Sequence, residues 1–199
     1  MRATLLDYGV GNLHSLAKAI AAPGVEVVIV EDPLRALDTD RLILPGVGAF
    51  APAAERLAPA RQALREALQA GLPCLGICLG MQLLLDESDE GPGAGIGLIP
   101  GRVRRLEANR LPQIGWNTIE DVTDRAFAAS PIGVAYYANS YVAQPTDPDA
   151  VVAWSSHESD RFPAAVRCGN TLGVQFHPEK SSAPGLAFLR AWVTSEVAR

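Results

Sequence analysis

Apolar positions in the first half of the chain alternate between two periods. Short apolar runs at 3–6, 25–30, 42–44 and 72–77 read as strands, the second of them as a buried one. Between them, 13–22 has helical spacing closed by Pro23-Gly24. Residues 53–70 form an amphipathic pattern with Leu57, Leu64 and Leu68 on one face and Gly71 just past its end. Repeated strand–helix units of this kind predict a parallel sheet with helices on both faces. The segment 86–101, acidic and then rich in Gly and Pro, reads as a loop. Beyond it the pattern changes to strand-like runs at 103–106, 134–142, 151–154, 164–168 and 172–176, with Gly169-Asn170 as a hairpin turn. Ser182 and Pro184 open a last helix through Phe188, Leu189 and Trp192. The expectation is one mixed α/β domain over 1–199, whose helix-rich and strand-rich halves share a sheet.

Composition narrows the function classes. A length of 199 residues suits one domain with a sizeable core, and a net charge of −5 argues against a nucleic-acid or anionic-membrane surface. The nearest approach to a basic run, Arg102, Arg104 and Arg105, reads as a solvated strand face. Three cysteines without disulfide spacing point to a reducing compartment, and no signal peptide or bilayer-spanning run is evident, so a cytoplasmic protein is expected. No Cys/His cluster has zinc-ligand spacing, and neither metal nor cofactor is expected.

The chemistry centres on Cys74-Leu75-Gly76-Ile77-Cys78-Leu79-Gly80-Met81-Gln82. An apolar run ends in a cysteine flanked two residues either side by glycine, with a Leu-rich helical pattern following, which is the layout of a nucleophile elbow. Side chains at Gly76 or Gly80 would crowd so tight a turn. The helix N-terminus favours negative charge and hence a reactive thiolate, so a nucleophile is favoured over a small buried hydrophobe at Cys78. Such a nucleophile needs a base. Of three histidines, His14 reads as helix surface and His157 as part of a solvated polar loop, whereas His177 ends a strand and precedes Pro178 and Glu179. Residue 177 is held extended by the proline, and residues two apart on an extended chain face the same side, so Glu179 can orient the imidazole. Oxyanion donors are expected from the amide of Leu79 and from the loop Gly46-Val47-Gly48. Gln82, one turn after Cys78, suits substrate recognition. The stretch 7–12 together with Glu31 has dinucleotide-loop spacing, but His14 stands at the third glycine position and no such site is expected.

Together, Gly76 to Gln82 and His177-Pro178-Glu179 resemble the class I glutamine amidotransferases. Asp7-Tyr8-Gly9-Val10-Gly11-Asn12-Leu13, Leu44 to Phe50, Pro112-Gln113-Ile114-Gly115-Trp116-Asn117 and Lys180-Ser181 are similar to the glutaminase subunits of imidazole glycerol phosphate synthases. The resemblance spans nearly the whole chain. It implies a flavodoxin-like fold and hydrolysis of glutamine to glutamate and ammonia, the ammonia passing to a (β/α)8-barrel cyclase partner in a heterodimer. It further implies Cys78 as nucleophile, His177 as acid/base and Glu179 as its orienter. Gly48, Gln82, Ser140 and Tyr141 would contact glutamine, and Asn12, Trp116 and Lys180 would face the cyclase. Ala138-Asn139 departs from the family, which more often has Val-His there. Another class I amidotransferase, a related cysteine hydrolase, or a silent scaffold that only binds the cyclase are the alternatives.

Overall fold

The computed structural model describes residues 1–9, 11 and 13–195. The first half alternates β1 (Arg2–Leu6), α1 (Leu13–Ile20), β2 (Glu26–Val30), β3 (Arg41–Leu44), α2 (Phe50–Leu57), α3 (Arg61–Gln69), β4 (Cys74–Ile77) and α4 (Leu79–Gln82). There follow β5 (Glu87–Ser88), β6 (Gly101–Arg105), β7 (Gln113–Thr118), α5 (Arg125–Ala129), β8 (Val134–Asn139) and β9 (Tyr141–Pro145). The chain closes with β10 (Val151–His157), β11 (Asp160–Cys168), β12 (Thr171–Val174) and α6 (Ser182–Thr194).

A seven-stranded sheet in the order β10-β11-β12-β4-β3-β1-β2 joins both halves of the chain, as the pattern predicted. The run β12-β4-β3-β1-β2 is parallel, and β10-β11-β12 is an antiparallel meander turned at Gly169-Asn170. Every residue of β3 and β4 is buried, because helices cover both faces of the parallel centre. One core cluster includes Leu5, Ile43, Phe176 and Phe188; a second, with Leu6, Leu44, Leu57 and Leu64, fills the other side. Two smaller pairings, β5-β6-β9 and β7-β8, stand apart from this sheet.

Several elements differ from the sequence pattern for physical reasons. β2 is not a buried strand: it forms the sheet edge and is partly exposed throughout. The single helix over 53–70 is two, α2 and α3, separated by the 3-10 turn Ala58–Ala60, since Pro59 cannot donate to a continuous helix. Leu57, Leu64 and Leu68 nevertheless share the buried face. The loop 86–101 includes β5, and the run 134–142 breaks at Ser140, where the chain leaves β7 to pair with β6. Strand β7 and helix α5 lacked a clear apolar period. His157 ends β10 instead of lying in a loop, its Nε2 3.0 Å from the Arg110 carbonyl. Nor is Arg104 on a solvated face; its guanidinium grips Asp160 in a bidentate pair at 2.7 and 2.8 Å. Among the described residues no helix is long and apolar enough to cross a membrane.

The adjacent parallel strands β3, β4 and β12 all end at the same edge of the sheet. Their carboxyl ends bring the loop 45–49, Cys78 and the segment 175–177 together, which is where ligands bind in open α/β sheets.

Candidate active site

At Cys78 the backbone turns with φ 47° and ψ −102°, a conformation that costs a side-chain-bearing residue on the order of 1–3 kcal/mol. Glycine neighbours make the turn feasible. A Cβ at Gly76 would lie 2.6 Å from the Gly80 carbonyl oxygen, and one at Gly80 would overlap the carbonyl of Leu44. The expected Leu-rich helix after the elbow is the single turn Leu79–Gln82, too short to develop a sizeable macrodipole. Stabilisation of charge at the sulfur therefore falls to individual donors close by.

His177, only 2% exposed, donates its backbone N–H to the Tyr136 carbonyl at 2.8 Å. Its Nδ1 is 2.8 Å from Glu179 Oε1. The pairing agrees with the sequence reading, but its geometry is different. His177 alone is extended, and the 3-10 turn Pro178–Lys180 brings Glu179 back to Nδ1 at the ring edge. Burial lowers the imidazolium pKa, but hydrogen bonding and charge attraction to Cys78 and Glu179 outweigh it and raise the value to about 9. The proton is thus held on the ring by its two neighbours.

Cys78 and His177 line one cleft of about 260 Å3 together with Gly46, Val47, Gly48, Leu79, Gln82, Ser140, Tyr141 and Lys180. Leu79, as first residue of α4, has an N–H with no intrahelical partner. Gly46 packs directly on the elbow, where an added Cβ would overlap the Ile77 carbonyl and lie 2.9 Å from Cys78 Cβ. The Tyr8 hydroxyl donates to the Pro45 carbonyl, tying the segment after β1 to the base of this loop. Gln82 donates from Nε2 to the Tyr141 carbonyl at 2.9 Å.

Two residues passed over in the sequence also belong here. Glu90 lines the cleft, with Oε2 accepting the Phe50 N–H at 2.9 Å; in an acidic loop nothing marked it out. Gln175, wholly buried, reaches the sulfur of Cys78. It lies two residues before His177, and strand alternation offered that signal. Trp116 lies outside the cleft, 55% exposed on β7 and edge-on to Tyr136 at 6.2 Å. Lys180 bridges the two regions, lining the cleft while its ammonium sits 6.0 Å from the Tyr136 ring. Asn12 lies outside the described residues. His14 is exposed, and burial pushes the Cys74 thiol well above its ordinary value, so neither competes with the cleft pair. Among the described residues no group of His, Cys, Asp and Glu could hold a metal.

Comparison with known proteins places the chain in a family. The family model for class-I glutamine amidotransferases matches residues 4–194. The fold resembles a solved glutamine amidotransferase (TM-score 0.73, 20% identity, 96% of this chain and 99% of that one). It also resembles a chain of PurLQS from Thermotoga maritima (TM-score 0.70, 22% identity, 96% and 97%). Imidazole glycerol phosphate synthase subunit HisH of Symbiobacterium thermophilum is 46% identical over 197 residues, 96% of this chain and 92% of that protein. The subunits of the same name from Thermus thermophilus and Pyrococcus furiosus are 44% and 41% identical, each over 192 residues and 95% of this chain, and over 95% and 96% of those proteins. The chain belongs to the class I glutamine amidotransferases, as a HisH-type glutaminase subunit of imidazole glycerol phosphate synthase.

Proposed function

We propose that Cys78, His177 and Glu179 form the triad of this glutamine amidohydrolase. The Cys78 thiolate attacks the side-chain amide carbon of glutamine, forming the S–C bond. His177, protonated near neutrality, gives its proton to the departing nitrogen as the C–N bond breaks. The sulfur is then neutral in the thioester, and one of the attractions raising the imidazolium pKa vanishes. His177 thereby becomes a better base for the water that resolves the thioester to glutamate. Glu179 orients the ring through both steps. The oxyanions face the amides of Leu79 and of Val47 or Gly48. Ammonia released from glutamine is the nitrogen that the resemblance sends onward.

The cleft supplies the chemistry for an α-amino acid. Glu90 is its carboxylate for the ammonium group, and Gly48, Gln82, Ser140 and Tyr141 supply the remaining polar contacts. The exposed Trp116, together with Lys180 and Asn12, docks a (β/α)8-barrel cyclase, which receives the ammonia. The working unit is a cytoplasmic heterodimer in which residues 1–199 form one amidotransferase domain; the three unpaired cysteines support a reducing compartment.

The observation that carries this reading is the shared cleft of Cys78 and His177, with Glu179 2.8 Å from the imidazole. Glutamate release by the chain with its cyclase and ribonucleotide ligand tests it. Cys78→Ala should abolish release, and persistent turnover in that variant would reject the triad.

A further inference from the structure

Gln175 has a place in the reaction that neither the triad nor the oxyanion donors cover. Its position follows from strand register. β12 and β4 are parallel neighbours with Val174 opposite Ile77, so the next residue on each, Gln175 and Cys78, meet at the same level. The Cys78 N–H donates to the Val174 carbonyl at 2.7 Å, and the Gln175 N–H to the Ala164 carbonyl at 2.9 Å, which locks both backbones. From there the Gln175 side-chain Nε2 reaches Cys78 Sγ at 3.4 Å.

The orientation of that amide is dictated by its neighbours. A backbone carbonyl only accepts, so Gln82 must turn its Nε2 to Tyr141. The same Nε2 lies 3.4 Å from Gln175 Oε1 and donates to it. A reversed Gln175 would set two donors against each other, so its own N–H group is left facing the sulfur. The side chain is wholly buried, and water does not compete for the contact.

We propose that Gln175 is a further catalytic residue, its side-chain amide donating to the Cys78 sulfur and holding the thiolate aimed at the substrate. The inference rests on Cys78 being the nucleophile. A neutral amide suits this task because it stabilises anionic sulfur without giving up its proton, leaving the His177 proton for the departing nitrogen. Gln175 keeps its hydrogens throughout. Its contact weakens as the sulfur becomes a neutral thioester and strengthens again when the tetrahedral intermediate of hydrolysis expels the thiolate, so it favours both anionic ends of the cycle.

Iodoacetamide alkylation of Cys78, followed on its peptide by mass spectrometry, separates this role from simple packing. In the full-length chain, Gln175→Met should slow alkylation at neutral pH by about tenfold, as loss of a hydrogen bond to a charged group would. The difference should close at alkaline pH. Gln175→Glu keeps the shape and still accepts from Gln82, but presents a charge in place of a donor and should be slower still; it decides the matter if the Met variant does not fold. Alkylation of folded variants that follows the wild-type pH dependence would overturn the proposal, whatever their glutaminase activity. Alkylation of wild-type Cys78 that leaves glutamate release intact would instead reject the nucleophile itself, and Gln175 with it.

Discussion

Replacing Cys78 by glycine and by alanine gives a pair of inactive proteins whose relative stability reports the strain in the elbow. Both lack the sulfur, so they differ in one methyl group and in backbone freedom. At an ordinary position alanine is favoured over glycine by about 0.5–1 kcal/mol, because glycine has more unfolded-state entropy to lose. Position 78 has φ 47° and ψ −102°, where a Cβ costs on the order of 1–3 kcal/mol and glycine costs little. Setting the strain against the entropy leaves glycine ahead by about 1 kcal/mol. In a chain of this length that is a rise in Tm of about 2–4 °C. Urea denaturation and thermal melting of the two variants measure it directly. An alanine variant equal to or more stable than the glycine variant would refute the strained turn and, with it, the structural reason for the glycines on either side.

Two other perturbations probe the site. The His177 pKa is raised above its ordinary value to about 9, so the stabilisation linked to its proton is complete below about pH 6.5 and is lost as pH rises through about 9. Thermal stability and kcat/KM should both fall through that upper window, and Glu179→Gln should move the falling limb to lower pH; an unmoved limb would contradict the assignment of Glu179. Gly46→Ala should lower the glutaminase rate with the cyclase bound by about 100-fold, since the added methyl pushes the loop off the elbow that it shares with Cys78. Steady-state glutamate release at unchanged activity would show that the loop geometry is not needed.

The proposed triad was legible because both halves of it are local in sequence. Gly76, Cys78 and Gly80 are spaced as a tight turn demands, and His177 and Glu179 are two residues apart with a proline between them. The sheet centre was equally plain from its short apolar runs. What escaped depends on contacts made far along the chain. Val25 to Val30 is apolar enough for a central strand, and only the pairing order puts it at the edge. The break at Ser140 comes from a change of partner strand, which no periodicity records. Pro59 was visible, but the apolar spacing continued across it and masked the interruption. Gln175 meets Cys78 through the register of β12 on β4, and Glu90 reaches the cleft from a loop; neither relation is written within a single segment. Even the His177–Glu179 pair was expected from extended alternation, whereas a 3-10 turn brings it about.

Covalent catalysis by Cys78 is tested most directly by acid-quenching the complex during glutamine turnover and mapping the trapped adduct by mass spectrometry. The structure predicts a glutamyl thioester on the Cys78 peptide, and none in Cys78→Ala. Turnover with no adduct at Cys78, or with the glutamyl group on another residue, would contradict the account.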